Sequence, residues 1–208
     1  MNFRLPKIYP ITDTRVSGIS HLEQVEKLAA GGGGTIQLRE KYSSPLDFYE
    51  SAAEVIQFAG KIGVRIIIND RVDIALALKA DGVHLGQDDM PPGSAREILG
   101  LDAVIGFSTH SARQAVAALL LPVDYIAIGP IFQTKTKKNP GDVVGLEGLK
   151  KVRDAIGAFP LVAIGGINAE NLRSVLNAGA DSVAMIGSIG SDHAKIEERM
   201  RKLIRLST

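Results

Sequence analysis

The sequence contains no cysteine and no tryptophan, and only 5% of its 208 residues are aromatic. Without cysteine there is no disulfide framework, no thiolate metal site and no cysteine nucleophile, which agrees with a reducing compartment. An excess of one charge is missing too: 24 Lys and Arg stand against 23 Asp and Glu, a net +1. Nothing in that balance attracts nucleic acid or an anionic membrane globally, so any pull on an anionic ligand must come from a local cluster. Long hydrophobic runs are also lacking. Stretches such as 115–123 are far too short to span a bilayer. Residues 1–7 bring Arg4 and Lys7 with no apolar segment after them, which predicts no secretory leader. A cytoplasmic location is expected, with no membrane and no nucleic-acid partner.

What the chain does have is alternation. Short runs rich in β-branched residues, at 7–12, 35–38, 65–68, 82–85, 103–106, 124–129, 161–164 and 182–186, read as strands. Between and after them lie Ala- and Leu-rich amphipathic stretches that read as helices, at 20–30, 46–60, 72–79, 95–99, 112–119, 146–155, 169–177 and 193–206. Ser20 with Glu23 makes a capping-box pattern, and Asn168 with Asn171 a weaker one. Gly60, Gly100, Gly157 and Gly179 fall where helices should stop. Three strands are introduced by a similar phrase, Ala80-Asp81-Gly82, Pro122-Val123-Asp124 and Gly179-Ala180-Asp181. The strands are short and almost wholly apolar, as parallel strands covered by helices are. Eight such units predict a single α/β domain over residues 1–208, a small (β/α)8 TIM barrel. The rival, an open doubly wound sheet, normally has fewer strands and often a Gly-rich turn after the first; here Thr12-Asp13-Thr14 follows it.

Polar residues collect after the carboxyl ends of these strands, which in a barrel share one rim. If the second strand persists, Gln37, Arg39 and Lys41 point the same way and form an anion receptor, the bland alternative being a solvated basic strand end. Asp70 and Asp89 follow neighbouring strands and suit a hard divalent cation such as Mg2+ shared with a phosphorylated ligand. They read as readily as a cap for the helix near Val72 and a turn before Pro91-Pro92. Thr134, Lys135, Thr136 and Lys137 place hydroxyls and ammonium groups in a long loop with Pro140-Gly141, a flap over a phosphate or a solvated loop. Gly165-Gly166 and Gly187-Ser188 follow the last two strands, where this fold recurrently binds phosphate through backbone N–H groups; otherwise they simply make tight turns. His84 reads as packed or hydrogen-bonded within its strand. His110 reads as a general acid or base, or as a residue packing at a helix start.

Taken together, Gln37-Leu38-Arg39-Glu40-Lys41, Asn69-Asp70, His84-Leu85-Gly86-Gln87-Asp88-Asp89, Gly106-Phe107-Ser108, Gly129-Pro130-Ile131-Phe132 with Thr134, Thr136 and Lys137, and Ala163-Ile164-Gly165-Gly166-Ile167 resemble the successive motifs of the thiamine-phosphate synthase family. They occur in that family's order and span residues 9–189. The resemblance implies that the ring nitrogen of a thiazole phosphate displaces diphosphate from a hydroxymethylpyrimidine diphosphate. It implies that Gln37, Arg39, Lys41 and Asn69 hold the pyrimidine diphosphate, that Asp70 and Asp89 bind Mg2+, and that Ser108 and Lys137 contact the departing diphosphate. Thr134, Thr136, Gly166, Ile186 and Gly187 are implied for the thiazole phosphate, with Leu38, Glu40 and Lys135 as further substrate-binding residues. Catalytic weight falls on Lys137, Ser108, Arg39 and Lys41. The implied partners are these two small molecules, and a homo-oligomer is left open.

One departure stands out. Where that family commonly has Val or Ile followed by Ser after the eighth strand, this chain has Ile186-Gly187-Ser188, so a hydroxyl is lost or moved by one residue. The related thiazole tautomerase shares the barrel and several motifs, and His110 is the residue it would use. It has no need of Asp70, Asp89 and Lys137.

Overall fold

The computed structural model describes residues 3–134 and 141–208. In chain order the elements are β1 (Ile8–Thr12), α1 (Thr14–Ser17), α2 (His21–Ala30), β2 (Thr35–Leu38), α3 (Pro45–Ile62), β3 (Arg65–Asn69), α4 (Val72–Leu78) and β4 (Gly82–Leu85). The second half continues with α5 (Pro92–Leu99), β5 (Val104–Thr109), α6 (Ala112–Ala118), β6 (Tyr125–Ile128), α7 (Gly145–Ile156), β7 (Leu161–Ile164), α8 (Leu172–Asn177) and β8 (Ser182–Met185). It closes with α9 (Gly187–Gly190), a 3-10 turn at His193–Lys195 and α10 (Ile196–Ser207). The strands pair in parallel, each with its sequence neighbour, and β1 closes on β8. The predicted (β/α)8 barrel is the fold.

Because strand side chains alternate, each strand faces two ways. Ile36, Leu38, Ile66, Ile68, Val83, Leu85, Ile126 and Ile128 point outward into the main core beneath the helices. The inward set is smaller and mixed. Tyr9, Ile11, Ile67, Val104, Tyr125, Ala127, Val162 and Ala184 form a second cluster inside the barrel, with Phe3 and Leu5 packed against it. Gln37, Asn69 and His84, all buried, share this interior with Ser108.

Element ends follow local chemistry. The expected capping box of α2 is present: the Glu23 N–H donates to Ser20 Oγ and the Ser20 N–H to Glu23 Oε2. The same reciprocal pair, Ser44 with Asp47, opens α3. Gly60 does not stop α3; the helix runs to Ile62 and ends at Gly63, whose φ of 71° sends its N–H back to the Ala59 carbonyl. Helix α5 starts at Pro92, three residues earlier than expected, since proline suits a first helical turn. Helices α8 and α10 begin three residues later than expected. Strand β5 runs on to Thr109 rather than stopping at Gly106, which carries Ser108 within the sheet.

The three repeated phrases before β4, β6 and β8 have one function. Asp81, Asp124 and Asp181 each accept the first free strand N–H of the preceding strand, from Ile66, Ile105 and Leu161, at 2.8, 2.7 and 2.9 Å. Arg96 and Arg153 extend two of these latches. Arg153 pairs with Asp181 at 2.6 Å and also donates to the carbonyls of Gly179 and Phe159. Arg96 pairs with Asp124 at 2.8 Å. These aspartates lock the lower end of the barrel, away from the rim.

Candidate active site

The carboxyl ends of the strands surround a cavity of about 680 Å³. Gln37, Arg39, Lys41, Asn69, Asp70, Asp89, Ser108, Thr134, Gly166, Ile186 and Gly187 all line it. Leu38 and Glu40 do not. Leu38 points outward and is fully buried under the helices, as alternation requires. Glu40 accepts from Thr14 Oγ1 at 2.9 Å and from the Tyr42 N–H at 2.8 Å, bracing the loop that carries Lys41. Lys135, Thr136 and Lys137 lie outside the described residues.

Strand β2 ends at Leu38, yet Gln37, Arg39 and Lys41 still face one space. The two cations arrive already paired. Arg39 donates to the Asp13 carboxylate, and Lys41 donates to Asp70. Asp13 also caps α1 through the N–H groups of Arg15 and Val16, each at 3.1 Å, so the same carboxylate fixes the guanidinium in place. Asp13 went unassigned in the sequence because its cation is 26 residues away.

Asp70 does not cap α4, whose first turn has no side-chain cap. It sits instead at φ 63°, a left-handed conformation uncommon for a residue with a Cβ, held by its N–H donating to the His84 carbonyl at 2.9 Å. Asp89 does close a turn, accepting the Gly86 N–H at 2.6 Å. Burial first, and then the hydrogen bond and negative charge of Asp70, hold the Asp89 carboxyl above the usual carboxylate range. Two carboxyls pressed together with one lysine beside them make a place that a divalent cation would relieve. Among the described residues no group of three or more His, Cys, Asp or Glu gathers as a metal cage. A site with two carboxylates fits Mg2+, which commonly takes its other ligands from water and phosphate.

Across the cavity, Gly165 and Gly166 have φ of 103° and 66°. A Cβ on Gly166 would stand 2.5 Å from the Gln133 carbonyl oxygen, so only glycine fits this turn. Ser188, just after Gly187, lines the same region, and its buried Oγ has no partner among the described residues. Asn69 Nδ2 is buried and unpartnered in the same way. Two buried donors left without acceptors beside an empty volume suit a ligand rich in oxygen. His110 lines the cavity too; its Nδ1 donates to the Gly129 carbonyl at 2.7 Å, leaving Nε2 as the other ring nitrogen.

A parallel barrel with cations, paired carboxylates and glycine turns on one rim defines an enzyme that handles phosphorylated small molecules. The family model described as thiamine monophosphate synthase matches residues 8–189. The chain is 48% identical over 184 residues to the thiamine-phosphate synthase of Clostridium novyi, covering 88% of this chain and 90% of that one. It is 39% identical over 204 residues to that of Chloroflexus aurantiacus, covering 97% and 94%. Among solved structures it resembles the thiamine phosphate pyrophosphorylase of Pyrococcus furiosus, with a TM-score of 0.86 and 35% identity over 97% of this chain and 95% of that one. The chain belongs to the thiamine-phosphate synthase family, a family of transferases. Among the described residues no helix is long and apolar enough to cross a membrane.

Proposed function

We propose that this enzyme joins 4-amino-2-methyl-5-hydroxymethylpyrimidine diphosphate to 4-methyl-5-(2-phosphoethyl)thiazole, or to its carboxylated form with loss of CO2 as well, releasing thiamine phosphate and diphosphate in the cytoplasm. The observation that carries the reading is the pairing of Asp70 and Asp89 on one wall of the cavity, with Gly166 and the Gly187-Ser188 turn on another. One end receives a diphosphate and its cation; the other receives a monophosphate.

The chemistry asks little of a base. The bond between the pyrimidine methylene and the diphosphate oxygen breaks, and the oxygen keeps the electron pair. The electron-rich aminopyrimidine spreads the positive charge left on the methylene. The thiazole nitrogen then supplies its lone pair to that carbon, so no proton need be moved. Mg2+ held by Asp70 and Asp89 would neutralise charge gathering on the departing diphosphate. Arg39 and Lys41 hold the diphosphate through charge-assisted hydrogen bonds, each steadied by its own carboxylate. Ser108 donates to it from β5. Gly166, Ser188 and the loop at Thr134 hold the thiazole phosphate, placing its nitrogen in line with the methylene.

Diphosphate release from the pyrimidine substrate, with and without thiazole phosphate and Mg2+, tests this. Release should need all three and collapse in Asp89→Ala. No release from pure, folded protein would remove the synthase reading, and a thiazole tautomerase assay with His110→Ala as control would come next.

A further inference from the structure

In the wall of the cavity five interior side chains stand in an unbroken file. Gln37 Nε2 lies 3.3 Å from Tyr9 Oη, which lies 3.1 Å from Tyr125 Oη. Tyr125 Oη is 3.0 Å from His84 Nδ1, and His84 Nε2 is 2.8 Å from Ser108 Oγ. The first four are buried, and all five line the cavity. The file crosses the barrel between β4 and β6, and β5 makes room for it with Gly106. A Cβ there would stand 2.0 Å from Tyr125 Cζ and 2.5 Å from His84 Nδ1.

Counting protons gives the file a direction. A Gln37 amide N–H donates to Tyr9. The Tyr9 proton then goes to Tyr125, the Tyr125 proton to His84 Nδ1, and a neutral imidazole accepting at Nδ1 carries its hydrogen at Nε2. That hydrogen goes to the Ser108 oxygen, so the serine proton is left for the cavity. In the opposite sense, with the Gln37 amide oriented as it is, Tyr9 would accept from both Gln37 and Tyr125. Its own proton would then be buried without an acceptor among the described residues, at a cost of roughly 1–3 kcal/mol. Burial keeps His84 neutral, its pKa lowered to about 4.

We propose that this file is a directed hydrogen-bond relay that holds His84 as the Nε2–H tautomer, so that Ser108 presents its proton to an anionic oxygen in the cavity. Tyr9, Tyr125 and His84 are positioning residues acting through Ser108. The proposal rests on the synthase reading only in naming that oxygen as one of the departing diphosphate. Its donor would strengthen as charge builds there, so the relay acts on kcat more than on KM.

Nitrogen-15 NMR of histidine-labelled protein, with His84 assigned by loss of its signals in His84→Asn, reads the tautomer directly. Nε2–H is expected in the free protein and with inorganic diphosphate added; Nδ1–H would overturn the relay. Tyr125→Phe removes the donor to Nδ1, and a mixed tautomer with kcat lowered about tenfold and KM within about twofold is expected. Tyr9→Phe leaves that donor in place, so its effect should be smaller and gives a second variant if Tyr125→Phe does not fold. Unchanged tautomer and kcat in a folded Tyr125→Phe, or a larger effect of Tyr9→Phe, would overturn the proposal. The tautomer needs no turnover to be read, so a protein without synthase activity would fail the function while the relay was still decided by NMR.

Discussion

Aspartates sit at both ends of the barrel, and their surroundings differ in kind. At the lower end Asp181 accepts the Leu161 N–H and pairs with Arg153, so its charge and lone pairs are answered within the protein. At the upper end Asp70 holds a left-handed backbone, and Asp89 is pressed against it with its carboxyl raised. The same residue type closes the fold at one end and is crowded carboxyl against carboxyl at the other. Stability and activity are thus separated along the barrel axis, as the fold allows.

Asp89→Ala tests that separation most severely. Turnover should fall by about 10²–10³-fold, while the melting temperature stays within a few degrees because a like-charge contact is removed with the side chain. A large melting loss with activity intact would erase the contrast. The interior gives the next effect through pH. His84 has a folded pKa of about 4, below the ordinary 6.5, so above pH 6.5 it is neutral in both states. As pH falls below 6.5 the unfolded chain takes the proton first, and stability is lost until about pH 4, by roughly 3 kcal/mol. Denaturation at stepped pH should show that slope, and His84→Asn should flatten much of it. His21, also lowered by burial, should leave a residue of the slope.

At the lower end the expectation reverses. Asp181→Ala strands the Leu161 N–H and should cost roughly 1–3 kcal/mol, a melting shift of a few degrees, without changing KM for either substrate. Least of all, Ser188→Ala should raise KM for the thiazole phosphate about fivefold, the net value of one ordinary hydrogen bond, and leave stability alone. An unchanged KM would leave the backbone amides alone at that turn.

Much of this was legible in the sequence, for uneven reasons. The eight strands were, because each is a short apolar run and most follow glycine or aspartate punctuation, and their order fixed which loops share a rim. The left-handed backbone of Asp70 was not, since no local pattern demands it. Nor could spacing show that Arg39 and Lys41 arrive paired, because Asp13 and Asp70 meet them only after closure. The polar interior was legible only in part. His84 is hydrogen-bonded inside the barrel as expected, whereas Tyr9 and Tyr125 sit in runs that look apolar, and their inward direction emerges only once the strand register is known. Gly60 and Gly63 differ in nothing local, and only the second is met by a helix ready to end.

The segment beneath the barrel has a consequence for the polar file inside it. Phe3 lies against Tyr125 with ring centroids 6.0 Å apart, and the Arg65 guanidinium covers Phe3 at 5.8 Å. Together with Leu5 it packs as a stopper against the interior cluster, at the end away from the rim. A chain without that stopper would admit water from below, and a single molecule there would offer Tyr9 the acceptor it otherwise lacks. The two senses of the file would then be nearly equal in energy. On the proposed relay, a handful of residues far from the chemistry would thereby set which way a serine points its proton.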